Sequence, residues 1–401
     1  MKMSNEPVNP RPLSKTVESL APSGIRKFFD IAAQMHDVIS LSVGEPDFVT
    51  PWSICEAAYA SMKEGHTHYT SNSGVIELRR AVSKHLLDLY GVEYGENEIL
   101  VTVGVSEGLD LAMRTILDPG DEVIVAEPCF VSYQACVALA GGVPVSLETR
   151  AEDRFQISID QLEALATPRT KAILIGFPSN PTGATMPREK MQAVVDFARE
   201  KNLYIISDEI YDRMTYETPH VCVPSLDGAR ERTILLNGFS KAYAMTGWRL
   251  GYACAPAPIL AAMTKVHQYT IMSAPTPSQM AAIEALKSEV DVREMITQYK
   301  QRRRFIVEGL NKIGLDCHMP EGAFYAFPSI RRTGLTSEEF AERLLLEEHV
   351  AVVPGNAFGA GGEGHIRCSY ANSLEKIGIA LQRMERFVNK VAAEAPKTAA
   401  A

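Results

Sequence analysis

The sequence predicts an α/β fold, with a large domain whose mostly parallel sheet lies between helices and a smaller α+β domain built from both chain ends. Three observations predict it. Short apolar runs that end in polar or glycine-rich turns and lead into helical patterns recur through the middle of the chain, at 98–103, 122–125, 172–175, 204–206 and 233–236. Their continuous β-branched character reads as strands buried on both faces, hence mostly parallel. After about Pro277 the texture changes to a long charged helix over 292–312, then to an α+β pattern that includes 322–327 and a strand over 365–370. At 401 residues the chain exceeds one small core. The divisions expected are 1–50 as an N-terminal arm and part of the small domain, 51–290 as the large domain, and 291–401 as the small domain. The Pro- and Asn-rich first 15 residues and the Ala-rich last few read as arms or disordered ends.

Charge and composition narrow the function classes. A net charge of -9 and a pI near 5.6 argue against a nucleic-acid footprint, which needs a basic face. The polar start Met1-Lys2-Met3-Ser4-Asn5-Glu6-Pro7 lacks the apolar core of a signal peptide. No apolar run approaches the roughly 18 residues of a membrane span. The chain reads as cytoplasmic, without nucleic-acid or membrane partners. Its seven cysteines are scattered and never spaced C-x-x-C, which reads as reduced, buried thiols. His66 and His68 have no third ligand nearby in sequence, so no metal is expected.

In an open α/β sheet, ligands gather beyond the carboxyl ends of the strands, and four segments deliver chemistry there. Val103-Gly104-Val105-Ser106-Glu107-Gly108 joins a strand to a helical run over 109–117; its free amides suit a phosphate, or Ser106 is a plain helix cap. Phe177-Pro178-Ser179-Asn180-Pro181-Thr182-Gly183 is a turn that can aim the Asn180 amide inward, or a turn and nothing more. An apolar strand ends on Asp208, with Tyr211 expected one helical turn later. Asp208 is either a cap or the partner of a buried cation. Lys241 stands just past the strand at 233–236, between apolar neighbours, with Arg249 eight residues on. Partial burial and a nearby cation favour a neutral, Schiff-base-forming amine, whereas a lone lysine of this kind commonly snorkels to solvent. An amine, an acid, a phenol, a carboxamide, an anion cup and an arginine are together the set that pyridoxal phosphate requires.

On these motifs the chain resembles the fold-type-I pyridoxal-phosphate enzymes and, within them, the class I aminotransferases, from about Ser23 to Met384. The carrying motifs are Val43-Gly44-Glu45-Pro46-Asp47-Phe48, His68-Tyr69-Thr70, Asn180-Pro181-Thr182-Gly183, Ser207-Asp208-Glu209-Ile210-Tyr211, Ser240-Lys241 followed by Gly247-Trp248-Arg249-Leu250-Gly251-Tyr252, and Ile366-Arg367-Cys368-Ser369-Tyr370-Ala371. The resemblance implies that Lys241 forms the imine with pyridoxal 5'-phosphate and shuttles the proton, and that Asp208 pairs with the ring nitrogen. It implies that Tyr211 and Asn180 bond the phenolic oxygen, that Val105 and Ser106 offer amides to the phosphate with Ser240 and Arg249, and that Phe130 stacks on the ring. Arg367 would clamp the substrate carboxylate, assisted by Asn180 and the Gly44 backbone. Tyr69 would reach the neighbouring subunit's phosphate, which implies a homodimer with shared active sites.

Two positions depart from the family pattern. Gly238 stands where many relatives carry Ser, leaving one phosphate contact missing or replaced. Ser106 stands where aspartate-specialised members carry lysine, and 269–276 supplies no arginine for a side-chain carboxylate. The expected activity is therefore transfer of an amino group from an L-amino acid, aromatic or broad in specificity, to a 2-oxo acid such as 2-oxoglutarate. Ser23-Gly24-Ile25-Arg26-Lys27-Phe28-Phe29-Asp30 and Gly322-Ala323-Phe324-Tyr325 resemble the broad-specificity aromatic enzymes. Aspartate, alanine or an N-acyl-diaminopimelate remain alternatives for the donor, as does a carbon–sulfur lyase on the same fold. Gly359-Ala360-Gly361-Gly362-Glu363-Gly364 matches G-x-G-x-x-G, but a strand is expected after it rather than a helix, which speaks against a nicotinamide dehydrogenase. A ligand-sensing regulator would need a DNA-binding module that the chain lacks.

Overall fold

The computed structural model describes residues 11–20, 31 and 35–394. The Ser23 to Asp30 motif and both extreme ends lie outside the described residues. In chain order the strands are β1 (Ile39–Ser40), β2 (Ile99–Thr102), β3 (Glu122–Glu127), β4 (Val143–Glu148), β5 (Thr170–Gly176), β6 (Tyr204–Asp208), β7 (Thr233–Gly238), β8 (Gly251–Cys254), β9 (Tyr325–Ala326), β10 (Val350–Ala351), β11 (Val353–Pro354) and β12 (Ile366–Ser369). Seven of them form one sheet in the order β2-β8-β7-β6-β5-β3-β4. The neighbours from β7 through β6, β5 and β3 to β4 are parallel, and β8 alone runs antiparallel to both β2 and β7.

The apolar runs are continuous because both faces of this sheet are covered. Along β5, Ile173 and Ile175 pack into one core with Met191, Val194 and Val195 of the helix Arg188–Glu200. Ala172 and Leu174 face the other way, into a core with Leu109, Ala112 and Met113 of the helix Gly104–Ile116. Such alternation with both sides apolar is the pattern of a buried parallel strand. Two strands carried no clear signal. In β4, which is the exposed sheet edge, Pro144 removes a ladder donor that an edge strand can forgo, and β8 reads Gly-Tyr-Ala-Cys without a β-branched residue.

A separate core joins the two ends of the described chain. Leu41 packs with Tyr299, Phe324, Phe340, Val352, Ile366 and Phe387. β1 pairs in parallel with β10, and β9, β12 and β11 form a small antiparallel sheet. The long helix runs Glu289–Lys312, slightly earlier than its charge pattern suggested. We propose to divide the chain near residues 50 and 290, since this core draws mainly on segments outside those limits, with Tyr211 and Met214 reaching in from the large domain, and the seven-stranded sheet lies between them. The glycine-rich stretch 359–364 sits in the connection between β11 and β12. A strand precedes it after all, but β11 and β12 are antiparallel neighbours joined by two short 3-10 turns rather than an α-helix, so the dinucleotide geometry is absent from this segment.

Gly238 has a packing reason. It pairs with Gly251 across β7 and β8, and a Cβ at position 238 would lie 2.8 Å from the Gly251 Cα and 3.0 Å from the Leu250 carbonyl. Gly238→Ser should therefore destabilise the protein by about 1–3 kcal/mol through overpacking. Urea unfolding at fixed cofactor concentration measures it; an unchanged midpoint would mean the two strands separate freely.

Candidate active site

The carboxyl ends of five strands converge on one cavity of about 630 Å³. The segment after β2 brings Val105 and Ser106 to it, the segment after β3 brings Phe130, and the segment after β5 brings Asn180. Asp208 closes β6, while Ser240, Lys241 and Arg249 follow β7. Gly44, Tyr211 and Arg367 complete the set, so every expected site residue except Tyr69 lines this cavity. Tyr69 is 81% exposed and lies outside it.

Lys241 does not snorkel to solvent. Its Nζ donates to the Gly44 carbonyl at 2.6 Å. Burial lowers its pKa from 10.5 to about 8; Glu45 and Asp208 push upward, while Arg367 and Arg249 push further down. At this pKa the lysine is a nucleophile near neutral pH. Asp208 is buried, and burial raises its pKa to about 6, against hydrogen bonds that favour the carboxylate. These come from the Tyr133 hydroxyl at 2.8 Å and the Ile210 amide at 3.2 Å. The capping reading of Asp208 holds in part, since it closes a turn. No helix follows, and Tyr211 sits in that turn rather than one helical turn onward.

Arg367 is buried on β12. Its Nη1 donates to Asn180 Oδ1 at 2.8 Å and its Nη2 to the Ser42 carbonyl at 2.6 Å, while Nε has no partner among the described residues. The guanidinium lies 4.5 Å from the Tyr325 ring centroid and 4.9 Å from that of Phe358. All of these acceptors are neutral, and burial depresses its pKa. A buried guanidinium held this way has unused capacity for an anion. The Asn180–Pro181 bond is cis. Because Asn180 Oδ1 faces Arg367, its amide nitrogen is free to donate elsewhere.

The helix Gly104–Ile116 begins with Val103 as its cap and no side-chain capping bond, so Ser106 is not a cap. The first-turn amides are left for an anion. Gly104 adopts φ +75°, and a Cβ there would lie 2.8 Å from Arg249 Nη2, so this glycine lets the guanidinium approach the helix start. Arg249 Nη1 also donates to the Thr246 carbonyl at 3.0 Å.

Two residues of the site escaped sequence reasoning in these roles. Tyr133, in the helix Ser132–Leu139, bonds Asp208; nothing in its local pattern marks it. Tyr325, noted only as part of a motif, shares a 2.7 Å hydroxyl–hydroxyl bond with Tyr211 and lies under Arg367.

The chain belongs to the class I and II aminotransferases, whose family model matches residues 36–384. An aspartate aminotransferase of Pyrococcus abyssi is 45% identical over 94% of this chain and 98% of its own length. Aromatic-amino-acid aminotransferase 2 of Thermococcus litoralis is 43% identical over the same shares, 94% and 98%. The solved aspartate aminotransferase from Thermus thermophilus with maleate superposes with a TM-score of 0.90 at 40% identity, over 94% of this chain and 99% of that one. The protein is thus a pyridoxal-phosphate-dependent aminotransferase, acting on an amino acid and a 2-oxo acid. The donor set fits this cofactor: an amine with a lowered pKa, a buried acid, and a helix start without a side-chain cap beside an arginine.

The Lys241 shift has a stability consequence whose sign is fixed. Burial favours the neutral amine, so folding the cofactor-free protein below pH 8 penalises the ammonium, and the penalty fades as pH rises from about 8 towards 10.5. Lys241→Met should stabilise the cofactor-free protein at pH 7 by on the order of 2 kcal/mol after loss of the Gly44 bond. Urea unfolding at pH 7 and at pH 10 tests this; a variant no more stable at pH 7, or a gain that grows with pH, would refute it.

Proposed function

We propose that this aminotransferase favours aromatic or other large apolar L-amino acids as donors, with broad tolerance, and 2-oxoglutarate as acceptor. When bound, pyridoxal phosphate supplies an electrophilic carbonyl and a ring that takes up the electron pair left at Cα when its proton departs. Lys241 would hold the cofactor through its amine and, once the donor's amino group has displaced that amine, would be the base that removes and returns the Cα proton. Asp208 holds the ring nitrogen protonated, and a cation opposite it favours the carboxylate again. The amides of Val105 and Ser106, with Ser240 and Arg249, hold the phosphate dianion. Tyr211 and the Asn180 amide nitrogen would donate to the phenolic oxygen, and Phe130 would pack against the ring. Arg367 clamps the substrate carboxylate, with Gly44 beside it.

One observation carries this reading. Arg367 is a buried guanidinium with an unpartnered Nε and only neutral acceptors, in the same cavity as the amine of Lys241. The donor preference rests on the rest of the lining. Among the described residues the cavity's cations are Lys241, Arg249 and Arg367, each with a role above, while Leu109, Phe130, Ile210 and Tyr325 add apolar surface. Specificity constants for a donor panel with 2-oxoglutarate test the reading. Aromatic donors should lead, and a clear preference for aspartate would overturn it. Pyruvate and ammonia released from cystathionine without added 2-oxo acid would indicate a carbon–sulfur lyase instead. Arg367→Lys should weaken every donor by about 2–5 kcal/mol, since a point charge replaces a planar fork.

We read the enzyme as a cytoplasmic homodimer with shared sites, in line with its unpaired cysteines. Tyr69 is exposed and does not line its own cavity, and its segment is bonded to the stretch that carries Tyr269, 92% exposed. If Tyr69 serves the neighbour's phosphate, Lys241→Ala and Tyr69→Ala proteins should complement when subunits exchange. A two-fold dimer gives each mixed pair one intact site, so activity should recover to roughly a quarter of wild type. Activity no higher than the average of the separate variants would place Tyr69 outside the shared site.

A further inference from the structure

We propose that Glu107 and His267 form a positioning pair that keeps the anion cup at the start of helix Gly104–Ile116 open. The inference rests on reading that helix start as the phosphate site. Glu107 lies in the first turn, beside the amides a phosphate would take, and its side chain is only 10% exposed. A carboxylate at this place is itself drawn to a helix N-terminus. Left free, it would compete with the phosphate for the same amides and repel it.

Both of its oxygens are held away from that competition. Oε2 accepts the Val103 amide at 2.5 Å and Oε1 meets His267 Nδ1 at 2.6 Å. His267, on the helix Ala257–Thr270, is completely buried, and its Nε2 has no partner. An unpartnered lone pair is cheaper to bury than an unpartnered N–H. Donation from Nδ1 to Glu107 is therefore the arrangement this site selects. The imidazole is a fixed donor whose partner among the described residues is Glu107. Its own backbone carbonyl also accepts the amides of Ile271 and Met272. The Met272 carbonyl in turn accepts the side-chain amide of Asn72, three residues from Tyr69. One residue thus ties the cup to the exposed segment that carries Tyr69.

The test uses the cofactor-free protein titrated to equilibrium with pyridoxal phosphate and, separately, with pyridoxal, which lacks the phosphate; visible absorbance reports binding. Wild type should bind pyridoxal phosphate far more tightly. His267→Leu should lose about 10- to 100-fold for pyridoxal phosphate, the range expected for a hydrogen bond to a charged group, with little change for pyridoxal. His267→Asn, whose amide donates near the Nδ1 position, should retain most of the affinity, whereas His267→Gln, which reaches the Nε2 position, should not. This contrast carries the answer even where the leucine variant does not fold. Adding Glu107→Gln to His267→Leu should recover part of the loss by removing the competing charge. Equal losses for both ligands, or no difference between Asn and Gln, would overturn the pair's role while leaving the phosphate site intact. A wild type that binds both ligands alike would overturn the phosphate site itself, and the pair's role with it.

Discussion

The buried guanidinium of Arg367 is the interaction on which the assembly of this molecule depends, because its partners come from parts of the chain far apart in sequence. Ser42 follows β1, Asn180 follows β5, Tyr325 lies in β9, and Phe358 lies between β11 and β12. Desolvating an arginine costs several kcal/mol, and the cost is offset only where its donors find acceptors. The N-terminal segment, the seven-stranded sheet and the small antiparallel sheet must all be in place before they do. The Nε finds no partner among the described residues, so these neutral acceptors do not exhaust the guanidinium's donors.

At the other end of the cavity the same economy is achieved by small residues rather than by charge. Gly238 and Gly251 let β7 and β8 close on each other, and Gly251 packs so tightly that a Cβ would lie 2.8 Å from the Val105 nitrogen. This brings the start of helix Gly104–Ile116 against the segment that carries Arg249. An anion cup needs backbone amides and a guanidinium within one anion's reach, and side chains at these glycines would hold them apart. Position 238 is therefore held to glycine by a packing requirement.

Much of this was readable from the sequence. The buried strands announce themselves because residues such as Ile173, Leu174 and Ile175 are apolar on both faces, and the site residues stand where those strands end. What the sequence could not show depends on contacts between distant segments. β8 is a strand because β2 and β7 flank it, not because Gly-Tyr-Ala-Cys favours one. Tyr133 is an ordinary helical tyrosine until the fold brings it 2.8 Å from Asp208, 75 residues on. Tyr325 likewise gains its place only when β9 lies beneath Arg367. Ser106 could be read as cap or cup, and the observed helix start, capped at Val103, excludes the cap.

The shifts of Asp208 to about 6 and Lys241 to about 8 share one cause, which is that a cavity dry enough to strengthen every electrostatic contact also penalises each charge it holds. For the lysine the penalty is also the source of reactivity. At pH 7.5 an amine of pKa 10.5 is neutral in about one molecule in a thousand, whereas one of pKa 8 is neutral in about one in four. Lowering the pKa also lowers the basicity of the amine, but by less than the neutral fraction rises, because nucleophilicity follows pKa with a slope below one. Burial therefore gives a net gain in rate at a cost in stability. The cost is greatest in the cofactor-free protein, where the Gly44 carbonyl, a neutral dipole, stands opposite the ammonium. A covalent link at Lys241 that removed this ammonium would relieve it, and would couple retention of the cofactor to stability of the fold.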